Sequence, residues 1–250
     1  MLSRPYRQKD WFPARGGHSF AAAISFGVPE HEKDCVSDGG CGFCDGIKKM
    51  STGKLIVFEG ADEVGKTTLA TMLVETLRSK GDTCERIAFP GDKIGTLGQH
   101  IHELHHEPAR FHVGSINATS LQLLHIAAHI DAIEQRILPA LKKSRAVILD
   151  RFWWSAWIYG VANLANKNSL KAAIRAETIH WRGIQPSRLF LITRTNPLKK
   201  QPDIVKWKQI DRLYRKFASD QKRKFPITVI HNGSSPEVAL EEILKHVKNF

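Results

Sequence analysis

The chain has no apolar run approaching the ~20 residues that a membrane-spanning helix needs, which argues for a soluble protein. It has little cysteine: Cys35, Cys41, Cys44 and Cys84 are the whole set. Cys41-Gly-Phe-Cys44 carries the C-x2-C spacing of half a zinc site, but no second pair follows at finger spacing. Nor do four cysteines in 250 residues make a disulfide framework, so a reducing, cytoplasmic setting is expected. No internal repeat appears. What is present is ordinary globular composition, 42% hydrophobic and 25% charged, with enough length for one large domain or two small ones. The net charge of +12 fits a solvated basic surface or a partner that carries phosphates.

Residues 1–49 stand apart. They mix Arg, Gly, Pro and scattered aromatics without a period of 2 or 3.6, and they carry seven Lys/Arg against six Asp/Glu. Nearly all the net charge therefore belongs to the remainder. Met50, one of three methionines, stands just before an apolar run, and the expectation is that Met50 is the biological start and 1–49 upstream sequence. A targeting segment is the alternative: Arg4, Arg7 and Arg15 favour it, while Pro5 and Pro13 oppose an amphipathic helix. Residues 50–250 are expected to form the domain.

That domain is organised around Leu55-Ile-Val-Phe-Glu-Gly-Ala-Asp-Glu-Val-Gly-Lys-Thr-Thr68. An apolar strand-like run leads into Gly60-x4-Gly65-Lys66-Thr67 and then a helix-like run closed by Gly81, the pattern of a P-loop. The glycines allow a bend in which successive backbone N–H groups point at one anion. Lys66 adds a point charge for β- and γ-phosphates, and the Thr67 hydroxyl can ligate Mg²⁺. The helix dipole aims at the same place. Gly60, Ala61, Asp62, Glu63, Val64, Gly65, Lys66, Thr67 and Thr68 are thus the candidate ATP-binding residues. Nucleotide phosphate explains the need for an anionic partner, so no nucleic acid need be invoked.

Further strand-like runs span 84–89, 145–149, 189–193 and 227–230, alternating with helical stretches at 94–106, 115–144, 153–165, 169–181, one containing Trp207 to Phe217, and 237–246. Such alternation means about five parallel strands with helices on both faces, a three-layer α/β fold. The third run delivers Asp150-Arg151 to its carboxyl end, where ligands bind in open parallel sheets. His100, His102, His105 and His106 crowd one helix, and His102/His106 share a face; a solvated helix face is the expectation, since no acidic or cysteine ligand completes a metal set. Trp153, Trp154 and Trp157 could stack on a base or fill the core.

Phe58-Glu-Gly-Ala-Asp-Glu-Val-Gly-Lys-Thr-Thr68 resembles the P-loop of thymidylate kinases. Phe89-Pro90, the stretch Leu124–Leu141, and Val147-Ile-Leu-Asp-Arg151 with Ser155 and Tyr159 resemble further family segments in the same order, over about residues 53–249. The resemblance implies a nucleoside monophosphate kinase using ATP with Mg²⁺, with dTMP the first acceptor to try. It implies Lys66, Asp150 and Arg151 as catalytic residues and Thr67 and Asp150 at the metal. It places Asp62, Phe89, His125, His129, Arg151 and Tyr159 around the acceptor. A homodimer is left open. A kinase for another small-molecule acceptor, or a nucleotide-binding regulator without turnover, is the alternative reading.

The chain departs from the pattern at several points. His125 and His129 stand where the family has a stacking aromatic and, four residues later, a phosphate-binding arginine; the arginine expected two residues before Pro90 is Ala88. Trp153, Ala156 and Trp157 replace polar residues that read the base. The P-loop holds Glu63 and Val64 and no arginine, so the short stretch Arg194–Gln201 must supply the lid, with Arg194, Lys199 and Lys200 as candidates.

Overall fold

The structure is a computed structural model, and it describes residues 53–247. The expectations on residues 1–49, on Met50, and on Cys35, Cys41 and Cys44 lie outside the described residues.

Five parallel strands, β1 (Leu55–Glu59), β2 (Cys84–Ala88), β3 (Ala146–Asp150), β4 (Arg188–Thr193) and β5 (Ile227–His231), form one sheet in the order β2-β3-β1-β4-β5. The order follows from which runs are apolar throughout. LIVFE, AVILD and the last five residues of RLFLIT are buried along their length, as strands covered by helices on both faces must be. CERIA and ITVIH are only partly buried, and these take the two edges. Register pairs Phe58 with both Asp150 and Phe190, and Ala88 with Asp150. The carboxyl ends of β1, β2 and β3 are thereby level, and one site can draw on all three.

The helices are α1 (Lys66–Ser79), α2 (Leu97–His106), α3 (Ala118–Ala132), α4 (Leu138–Lys142), α5 (Trp153–Ala162), α6 (Lys167–His180), α7 (Ile204–Gln221) and α8 (Pro236–His246). Two differ from the expectation. α2 starts only at Leu97, because the Thr96 hydroxyl accepts the Gln99 N–H as an N-cap. The stretch expected as one long helix divides: α3 gives way to a π-turn over Ile133–Ile137, and Pro139 lies in the first turn of α4. Proline has no N–H for the i→i−4 ladder and its ring crowds that carbonyl, so the helix widens just before it.

Trp153, Trp154 and Trp157 are core residues. Trp154 is fully buried, with Phe217 of α7 at 5.1 Å and Phe225 at 5.7 Å, both edge-on. Aromatic pairs in that geometry add roughly 0.5–1.5 kcal/mol each beyond area burial. Stacking on a base is therefore not available to Trp154. This cluster fixes α5, which begins two residues after Arg151, against α7. No helix among the described residues is long and apolar enough to cross a membrane.

Candidate active site

The turn after β1 is held from outside by three different elements. Trp207 Nε1 of α7 donates to the Asp62 carbonyl at 2.7 Å, Leu198 N to that of Glu63 at 2.8 Å, and Asn232 Nδ2 to that of Val64 at 2.9 Å. With these carbonyls engaged on the outer side, the turn can present backbone N–H groups to the concave side, as an anion cradle requires, apart from that of Asp62, which Tyr159 OH accepts. Gly65 then opens α1 at φ 92°, a left-handed conformation costly for other residues, and a Cβ there would stand 2.4 Å from Asn232 Nδ2. Lys66, only 5% exposed, donates from Nζ to the Ala61 carbonyl at 2.6 Å. Burial, then the neighbouring Arg151, pulls its ammonium down to about 8; Asp62, Asp150 and Glu59 oppose the shift. Thr67 and Thr68 lie exposed at the mouth of α1.

Asp150 ends β3 beside this turn. Its Oδ2 accepts from Thr67 Oγ1 at 2.6 Å and pairs with Arg86 Nη1 of β2 at 3.4 Å; Arg86 also pairs with Asp92 on the following loop. Arg151 follows with φ 76°, unusual for a non-glycine residue and of the kind found at sites where the surroundings over-determine the backbone. Its N–H donates to the Phe58 carbonyl at 2.9 Å. The guanidinium is held three ways: an ion pair with Asp62, a hydrogen bond from Nη1 to Ser155 Oγ at 3.1 Å, and the face of the Tyr159 ring at 5.5 Å. Tyr159 in turn donates to Asp62 Oδ2 at 2.7 Å and accepts the Asp62 N–H at 3.0 Å. Burial pushes the Asp62 carboxyl up, but Arg151 and Lys66 more than offset this and hold it below the usual range. Lys66, Thr67, Asp150, Arg151, Asp62 and Tyr159, read from three separated stretches of sequence, are brought together.

Glu59 was not singled out as a site residue in the sequence, yet it supports this half of the site. Fully buried, its Oε1 accepts the N–H groups of Phe152 at 2.8 Å and Ser155 at 3.1 Å, and Oε2 accepts Ser155 Oγ at 2.9 Å. Ser155 Oγ also meets Tyr214 OH at 2.7 Å. Burial raises the Glu59 carboxyl, while Arg151 and the bonds from Ser155 and Phe152 pull it back. A carboxylate ending an otherwise apolar strand was the signal available; its partners, 93 to 96 residues away, were not. Arg86 was missed too, and an arginine among the residues of an edge strand would have pointed to it.

The acceptor-side expectations fare unevenly. His129 is corrected: at 2% exposure it is packed into the wall, its Nδ1 2.9 Å from Glu177 Oε2 and its ring stacked on Phe89 at 4.1 Å. A histidine so enclosed does not take the place of a phosphate-binding arginine. Phe89 is likewise buried, as the other half of that stack. His125 is partly exposed, and its Nε2 is enclosed without a hydrogen-bond partner in the protein. Among the described residues, no three of His, Cys, Asp and Glu are grouped to hold a metal.

Arg194, a lid candidate, is held through Asn232, whose side chain bonds the P-loop carbonyl of Val64. Its guanidinium is anchored to the carbonyls of Asn232 and Asn196, where with His231 and Gly233 it lines a cavity of about 330 Å³ beyond β4 and β5. Lys199 and Lys200 are exposed, on an irregular segment with no helix.

The thymidylate kinase family model matches residues 58–201, more than half of the chain and the stretch that carries Asp62, Lys66, Thr67, Asp150, Arg151 and Tyr159. The chain belongs to the thymidylate kinase family. A thymidylate kinase of Bartonella quintana is 28% identical over 216 residues, 80% of this chain and 95% of that protein. One from Caldanaerobacter subterraneus is 37% identical over 110 residues, 43% of this chain and 49% of its own length. The chain spans about half the length of the first curated relatives it matches. In fold it is similar to the crystal structure of thymidylate kinase from Ehrlichia chaffeensis, with a TM-score of 0.64 at 20% identity over 79% of this chain and all of that one.

Proposed function

We propose that this member of the thymidylate kinase family transfers the γ-phosphoryl group of ATP to dTMP, giving dTDP. The observation that carries the reading is the convergence of Asp150-Arg151 on the P-loop: Thr67 on Asp150, and Asp62 on Arg151. Phosphoryl transfer asks a protein for position and positive charge rather than covalent chemistry. Lys66 brings one cation to the β- and γ-phosphates. Arg151, locked by Asp62, Ser155 and Tyr159, brings a second at the side from which the acceptor approaches. Asp62, beside that guanidinium, is placed to meet the acceptor's sugar.

Mg²⁺ fits the donor set. Thr67 Oγ1 and Asp150 Oδ2, 2.6 Å apart, are hard oxygens at the mouth of the turn, and Mg²⁺ characteristically takes one or two protein oxygens and keeps water for the rest. Bound there, it would neutralise phosphate charge. The pairing of Arg86 with Asp150 restrains the carboxylate that would share in holding it.

The full chain with Mg-ATP, offered a panel of nucleoside monophosphates, tests the reading. Formation of dTDP from dTMP is expected, and Lys66→Ala should lower turnover by at least a hundredfold, on the order of an oxyanion-stabilising group's loss. ATP binding without turnover of any monophosphate would overturn it and favour a nucleotide-binding regulator.

A further inference from the structure

The helices α2 and α3 carry no permanent cation. Neither α2 (LGQHIHELHH) nor α3 (ATSLQLLHIAAHIDA) contains a lysine or arginine. They carry imidazoles instead, and four of these form a contiguous row. His102 meets His106 at 4.4 Å, His106 meets His105 at 4.7 Å, and His105 meets the edge of His125, across the α2–α3 contact, at 5.2 Å. The row is within electrostatic reach of the transfer point: Asp62 acts on His105, and Arg151 acts on His102, His105 and His125.

We propose that His102 and His105 bind the acceptor's phosphate group, each able to take up a proton as the acceptor arrives, so that imidazolium supplies the positive charge that α2 and α3 otherwise lack. This deepens the monophosphate-acceptor reading and rests on it. A monophosphate is a dianion near neutral pH, and bringing it beside an imidazole favours the charged ring.

The surroundings of the two rings set which of the row can respond. From α2 itself, His106 opposes their protonation and Glu103 favours that of His102; Glu103 also pairs with Arg110 of the next turn at 3.5 Å. From the β2–α2 loop Asp92 favours protonation of His102, and from the P-loop Asp62 favours that of His105. Arg151 opposes both, and across the contact His125 faces His105, with His129 behind it engaged by Glu177. Both residues are exposed, yet partial desolvation and then these like charges hold their rings below the usual histidine range, so they are largely neutral at pH 7.5 before the acceptor binds. His125 is different. Burial, with His129 and His105 beside it, takes it down to about 3, so it stays a neutral ring. Its enclosed, unpartnered Nε2 suits a hydrogen bond with a neutral part of the ligand.

The test is calorimetric titration of the full chain with dTMP at pH 7.5, above the ligand's own second phosphate pKa of about 6, in buffers of different ionisation enthalpy. Uptake of a proton fraction approaching one is expected, and KM for dTMP should rise by up to about tenfold per pH unit above pH 7 for each proton coupled. The double variant His102→Asn/His105→Asn should lose both the uptake and the pH dependence while weakening dTMP. His105→Arg in the His102→Asn background should regain affinity with no uptake, which a merely structural role would not produce. Absence of proton uptake by the unaltered protein overturns the proposal whatever the variants do. dTDP formation without uptake would sink this proposal alone. Uptake on dTMP binding without dTDP formation would sink the functional reading and leave this one standing, and failure to bind dTMP at pH 6.5 and at pH 8 would sink both.

Discussion

Glu59 offers the sharpest quantitative test of how the phosphate-handling half is held. Replacing it with alanine leaves three donors without their acceptor: the N–H groups of Phe152 and Ser155 and the Ser155 hydroxyl. The hydroxyl has Tyr214 OH at 2.7 Å and the Ser155 N–H has the Phe152 carbonyl at 3.0 Å as second partners, so only the Phe152 N–H is stranded outright. A buried unsatisfied N–H costs about 1–3 kcal/mol and the lost bond to the Ser155 N–H adds about 1 kcal/mol, so the sum is about 2–4 kcal/mol. That is a large fraction of the roughly 5–15 kcal/mol by which such a domain is stable. Glu59→Gln behaves differently. Its carbonyl oxygen still accepts both N–H groups, and its amide can donate to Ser155 Oγ while that hydroxyl turns its hydrogen to Tyr214. The expected cost is about 1 kcal/mol. The Gln variant nevertheless removes a negative charge that acts on Arg151 and Lys66, so kcat should fall by roughly ten- to a hundredfold even where stability barely changes. Urea unfolding of the three proteins reads the first effect and initial rates read the second. An Ala variant within 1 kcal/mol of the unaltered protein, or a Gln variant as unstable as the Ala variant, would refute the assignment of Glu59 as the acceptor for this loop.

Two further outcomes follow from the contacts. Arg151→Lys cannot keep the contacts with Asp62 and Ser155 together, since an ammonium has no planar fork; kcat should fall on the order of 10²–10³-fold with KM for ATP within about threefold, read by steady-state kinetics. Gly98→Ala would put a Cβ 2.0 Å from the Pro90 carbonyl oxygen and 2.7 Å from Gly91 Cα, so α2 must move off the β2–α2 loop at about 2–4 kcal/mol, whereas Gly114→Ala meets nothing within 4 Å and should be neutral; thermal unfolding of the pair checks the contrast.

What the sequence discloses depends on how local the cause is. The P-loop reads directly because six consecutive residues must make one turn, and the strands β1, β3 and β4 read directly because burial on both faces makes them apolar runs, with a buried polar residue only at the carboxyl end. The Asp150-Arg151 pair reads from its position at a strand end. Contacts across the fold do not read this way. His129 looks like a ligand-facing residue until Glu177, 48 residues on, is seen to hold it in the wall. Arg194 reads as a lid candidate from its position alone, and the carbonyl of Asn232, 38 residues on, is what sets its direction beyond β4. In both, the side chain's chemistry is evident from the sequence and its direction is set by a partner on another element.

The arginine that is absent at Ala88 has a counterpart two residues earlier, and the displacement changes what its charge does. Residues two apart on a strand share a face, so Arg86 and Ala88 lie on the same side of β2, roughly 7 Å apart along it. Arg86 extends to Asp150 and to Asp92, and its guanidinium therefore lies on the floor between β2 and β3 with a carboxylate on either side. Flanked by two carboxylates, it adds no net positive charge for an incoming acceptor phosphate. Arg151 remains the second cation of the transfer site, but Asp62 offsets part of its charge. The charge of both arginines is thus partly taken up already, and α2 and α3 bring no lysine or arginine of their own. A dianionic acceptor entering such a site gains further compensating charge only from groups that can take it up, and within electrostatic reach of Arg151 those groups are the imidazoles of His102 and His105.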